Sequence, residues 1–142
     1  MNASADRSKS LQQLERKDWG EPEFQSHLVR TIHRLRRKPL DEFTTEDLRI
    51  MIGQGVGLEF LMPLAIDVLQ RDPLASGDFY PGDLLAAVTK AEHEFWRRHE
   101  HWRQDVGTIL KLVSDGMQVL DRFDAKTVAR ILREAPVFAP LD

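Results

Sequence analysis

The chain has 142 residues, 42% of them apolar and 30% charged, with no cysteine and a formal net charge of −3. Its length and balance are those of one ordinary globular domain, expected over residues 1–142, that can bury a core without disulfides or a structural metal. The missing cysteine excludes a disulfide framework, a thiol nucleophile and cysteine-ligated zinc, and no apolar run approaches the roughly 18 residues of a membrane span.

Met1 to Ser10 are polar, with no apolar stretch behind their basic residues, and are expected to fray rather than to form a secretory signal. After Pro22, Phe24, Leu28, Ile32 and Leu35 recur at steps of four and three, which predicts an amphipathic helix of about four turns. Arg30, Arg34, Arg36, Arg37 and Lys38 crowd its last turns, where cations suit the negative end of the helix dipole, and Pro39 stops it.

Thr44 as N-cap, with Glu46 and Asp47 in the first turn, predicts the next helix. Gly53, Gly55 and Gly57 read as its C-cap and turn, because the strand and the Gly-Lys-Ser/Thr of a phosphate-binding loop are missing. An apolar helix follows from Leu58 to Arg71, ended by Asp72-Pro73, with Pro63 tolerated near its start and expected to be buried.

Ser76-Gly77-Asp78 reads as a turn, after which Pro81 suits the first position of a new helix. Leu85, Val88, Phe95, His99, Trp102, Val106, Ile109, Val113 and Leu120 nearly keep a heptad spacing, with Glu92 the odd position. That helix is therefore expected to be long, with a break near His99 to His101. Asp124 is the predicted N-cap of a last helix through Val128, Ile131 and Leu132 before Pro136. With no sustained period-two pattern, the fold class is all-α, a compact bundle of about six helices.

A search for chemistry finds no catalytic site. His93-Glu94 starts like a zinc-hydrolase helix, but the position of the second ligand is Arg97, and His99 and His101 point to different faces. No metal site is expected, and His99 reads as a satisfied core histidine. Ser76 and Ser114 lie outside any nucleophile motif. Trp19, Trp96 and Trp102 read as core, and the basic stretch from Arg30 to Lys38 contains no aromatic for base stacking. Nucleic acid is therefore not expected as a partner.

Two stretches resemble the immunity proteins of bacterial contact-dependent growth inhibition (CDI) systems: Leu48 to Leu64 (LRIMIGQGVGLEFLMPL) and Gly77 to Leu85 (GDFYPGDLL). Lys38-Pro39-Leu40 and Phe95-Trp96 are weaker echoes, so the likeness spans roughly residues 11 to 100. The resemblance implies a cytoplasmic protein that binds and blocks the toxic C-terminal domain of a delivered effector, often a nuclease. It implies no catalytic residue, cofactor or membrane attachment. The runner-up is a helical adaptor that reads a peptide in an apolar groove.

Charge adds a physical expectation. Residues 1–40 carry a net +4, residues 41–83 a net −7, and residues 84–142 none. Nuclease sites that hold phosphate are basic, so an acidic face complements them in sign. The candidate partner contacts are Asp41, Glu42, Glu46, Glu59, Asp67, Asp72, Asp78 and Asp83, each of which could instead serve a cap or turn. Tyr80 is a candidate anchor that could equally pack its loop onto the helices.

Overall fold

The computed structural model describes residues 6–23, 26–135 and 138, and within them eight α-helices and two 3-10 turns. They are α1 (Leu11–Glu15), α2 (His27–Leu35), α3 (Thr45–Gly53), α4 (Leu58–Arg71), α5 (Asp83–Thr89), α6 (His93–Arg98), α7 (Glu100–Asp115) and α8 (Arg122–Arg133). The fold is all-α. Pairing of extended backbone among the described residues is limited to two isolated bridges, Ser10 with Pro39 and Ser76 with Pro81.

The helix starts follow local capping chemistry. Ser10 and Gln13 form a capping box on α1, Ser26 caps α2, and Thr44 and Asp47 form a box on α3. Each box satisfies orphan backbone donors from both ends. The helix expected after Pro22 therefore begins at His27, with Phe24 outside the described residues. Gly57 (φ +69°) opens α4, and a Cβ there would come within 2.7 Å of the buried Leu11 side chain, so glycine is required by conformation and by space.

Helix α4 is the centre of the bundle. Leu61, Met62, Leu64, Ala65, Ile66 and Leu69 are buried around much of its circumference, and it packs against α3, α5 and α7. Pro63 sits inside it and is only half-buried, contrary to expectation. Helix α8 closes the bundle against α7 and α5 through Val128 and Ile131.

Several boundaries differ from the sequence reading. The single long helix is three, because the chain breaks at Lys90–Glu92 as well as at His99, the first break falling on the residue that violates the heptad. Asp121 rather than Asp124 caps α8, accepting the Asp124 N–H at 2.8 Å. Pro81 precedes its helix and pairs with Ser76, leaving Gly82 (φ +94°) as N-cap.

The N-terminal segment is tied down from Arg7 onward. The Arg7 and Lys9 carbonyls accept the Asp41 and Leu40 N–H groups at 2.8 and 3.0 Å. Arg36 is 1% exposed and donates to Glu15 at 2.6 Å and to the Lys17 carbonyl at 3.0 and 3.1 Å, fastening α1 to the end of α2.

Two aromatic expectations change. Trp96 is buried as predicted, but Trp19 is 42% exposed. His99 stacks on Trp102 at 4.5 Å and lies tilted against Phe95 at 4.6 Å, yet its Nε2 has no hydrogen-bond partner among the described residues, so it is packed rather than satisfied.

Candidate functional site

The acidic block folds most of its unusual chemistry into the loop between α4 and α5. Asp72 ends α4 and its Oδ1 accepts the Leu74 N–H at 3.2 Å, a side-chain turn that redirects the chain. The Gly82 N–H donates to the Leu74 carbonyl at 3.1 Å, and between these ends residues 77–80 fold back over the start of α5.

Asp83 holds that fold. Its side chain is 2% exposed, and it accepts the N–H groups of Gly77 at 2.6 Å, Phe79 at 3.1 Å and Tyr80 at 3.4 Å. Three loop donors that would otherwise be orphaned are thereby satisfied by one anion. Glu46, one helix away on α3, accepts the Asp78 N–H at 2.9 Å and a two-bond fork from Arg49 at 2.6 Å each. Arg49 also stands 3.8 Å from the Asp83 carboxylate, so one cation serves both acids. The Arg49 fork holds the Glu46 carboxyl below the usual glutamate range, and the same bond raises the arginine.

Gly77 is needed for space alone. A Cβ on it would run into Glu46 Oε1 and lie 3.1 Å from the Asp83 carboxylate. What this scaffold presents is Phe79, 70% exposed, with the Arg49 guanidinium 4.4 Å from its ring centroid. Tyr80 is half-buried beneath Arg130 of α8, at 5.2 Å.

The sequence-predicted residues divide by environment. Asp78 is exposed at the tip, and Asp72 at the foot of the same loop. Glu46 and Asp83 are turned inward as its supports, the Asp83 side chain being 2% exposed. Asp67 pairs with the Arg7 guanidinium at 2.8 Å, while Asp41 is exposed and meets the same residue only through its backbone N–H, which donates to the Arg7 carbonyl. Glu42 is exposed beside Asp41. Glu59 stands apart in the first turn of α4, 3.5 Å from Arg98 and 3.8 Å from His99.

Phe79 and Arg49 were not singled out by sequence reasoning. The signal available was the position of Phe79 in GDFYPGDLL, an apolar residue in a turn and outside any helical stripe. Among the described residues no three His, Asp or Glu side chains gather as a metal would require, and no helix is long and apolar enough to cross a membrane.

Fold and site define an all-α protein with a hydrogen-bonded loop that exposes an aromatic ring, Phe79, beside the Asp78 carboxylate. The model of a family described as CDI immunity proteins matches residues 13–106, about two-thirds of the chain, and the chain belongs to that family. No curated protein matches it.

Proposed function

We propose that this protein neutralises the toxic C-terminal domain of a CDI effector by direct binding in the cytoplasm, with no catalysis of its own, and that the toxin is a nuclease. Membership of the immunity family carries the reading. The 77–83 loop is its docking element: Phe79 inserts as the anchor, while Asp72 and Asp78 meet basic residues that would otherwise hold phosphate. Asp41 and Glu42 extend the acidic surface. Tyr80, Glu46 and Asp83 act by keeping the loop in shape, and Asp67 and Glu59 are second-rank contacts, each already paired to an arginine.

Calorimetry with the toxin domain encoded immediately upstream, paired with a growth test in cells expressing it, examines this directly. Tight binding with rescue is expected. Replacing Asp41, Glu42, Asp72 and Asp78 together by their amides should weaken binding and flatten its salt dependence; unchanged affinity would remove the electrostatic part of the proposal.

One observation favours the adaptor alternative. A groove of about 620 Å³ between α7 and the end of α8 is lined by Leu110, Leu132, Ala135 and Phe138 among others, beyond the family-matched residues. Peptide binding there without toxin neutralisation would support it.

A further inference from the structure

A second surface, opposite in sign, lies on α2. Arg30, Arg34 and Arg37 recur at steps of four and three and so share one side of the helix and its closing turn. With His33 they wall a cleft of about 390 Å³, closed across from them by Glu21 and Pro22. The wall is held in place: Arg37 donates to the Gly20 carbonyl at 3.0 Å and to the exposed Glu21 carboxylate at 3.4 Å, and His33 Nδ1 lies 3.2 Å from the same carbonyl oxygen. Cations at a helix C-terminus complement its dipole, but that role calls for neither a cleft nor a neighbouring aromatic.

The aromatic is Trp19. Its ring meets His33 edge-on, with centroids 5.5 Å apart, and the Arg36 guanidinium sits 4.1 Å from its centroid. Arg36 is itself buried and fixed by Glu15 and Lys17, so the indole rests on an immobile cation with 42% of the residue still open. The basic stretch lacks an aromatic in sequence; the fold supplies one from the segment before α2.

We infer that this surface binds single-stranded nucleic acid, stacking a base on Trp19 and holding adjacent phosphates on Arg30, Arg34 and Arg37. Guanidinium forks match phosphate oxygens, and every base offers a face to an indole. A protein carboxylate would use the arginines but gain nothing from the platform. The inference rests on residues outside the proposed toxin-docking loop and stands independently of the immunity reading.

Fluorescence polarisation of the full chain with labelled oligouridylate and oligothymidylate tests it, and the tighter of the two assigns RNA or DNA. With three phosphates engaged, raising salt from about 50 to about 200 mM should weaken binding about 20-fold. Trp19→Ala should lose roughly tenfold, and Trp19→Phe less. Arg34→Glu, at an exposed position that leaves the fold intact, should lose at least as much as Trp19→Ala and lower the salt slope. Absence of binding at the lower salt would overturn the inference. So would displacement by polyglutamate as effective as by oligonucleotide, with Trp19→Ala binding as well as the parent protein.

Discussion

Replacing Asp83 by alanine removes the acceptor for three loop N–H groups and one of the carboxylates beside Arg49. A hydrogen bond to a charged acceptor is worth about 1.5–3 kcal/mol where the donor stays dry, and less where water replaces the acceptor. All three donors are part-buried and lie between the two cases. The expected loss is roughly 3–4 kcal/mol of a total near 5–15 kcal/mol. Asp83→Asn, which keeps one acceptor oxygen but sets an amide NH2 against a donor, should lose about half as much. Urea unfolding followed by far-ultraviolet circular dichroism measures both. If Asp83→Ala unfolds within about 0.5 kcal/mol of the parent, the range of an ordinary surface change, the carboxylate does not hold the loop.

Gly77→Ala should cost about 1–3 kcal/mol by forcing Glu46 from its place, and a cold-stage melting curve indistinguishable from the parent would show that Glu46 yields freely. Glu46 titrates below the usual glutamate value because Arg49 bonds its charged form. Its stabilisation is therefore complete above about pH 4.3 and is lost as pH falls through the lower folded-state value; Glu46→Gln should flatten that acid limb in a pH series of unfolding curves. Phe79→Ala should weaken toxin binding by about 2 kcal/mol, near 30-fold, while changing stability by less than about 1 kcal/mol. Calorimetry and melting on the same preparation separate the two effects, and equal affinity would place the anchor elsewhere.

Helix α4 was legible from end to end because its boundaries are chemical: a left-handed glycine before Leu58 and Asp72-Pro73 after Arg71. The Thr44 cap was legible for the same reason. The last helix was misplaced by three residues because Asp121 and Asp124 are equally good caps in sequence, and Asp121 is the one whose carboxylate accepts a first-turn N–H, that of Asp124. A heptad stripe cannot tell one long helix from three successive fragments, though its faulty position, Glu92, marked the extra break.

The acidic block was visible as composition, but not which acids turn inward. Asp83 is consumed by donors a few residues upstream that fold over it, and Glu46 by an arginine one turn along its own helix. Trp19 was read as core because nothing in the sequence shows that the chain between α1 and α2 carries it to the edge of His33.

The loop separates what sets its shape from what it displays. Its course is fixed through backbone N–H groups captured by Asp83 and Glu46, so the side chains at positions 78 and 79 contribute little to it. Exchange of either for a residue of other size or sign should leave those backbone bonds in place, at the cost in Phe79 of its contact with Arg49. With the docking role proposed for this loop, such an inhibitor would follow a changing adversary by substitution at its tip, without each step having to be matched by a repair in the core.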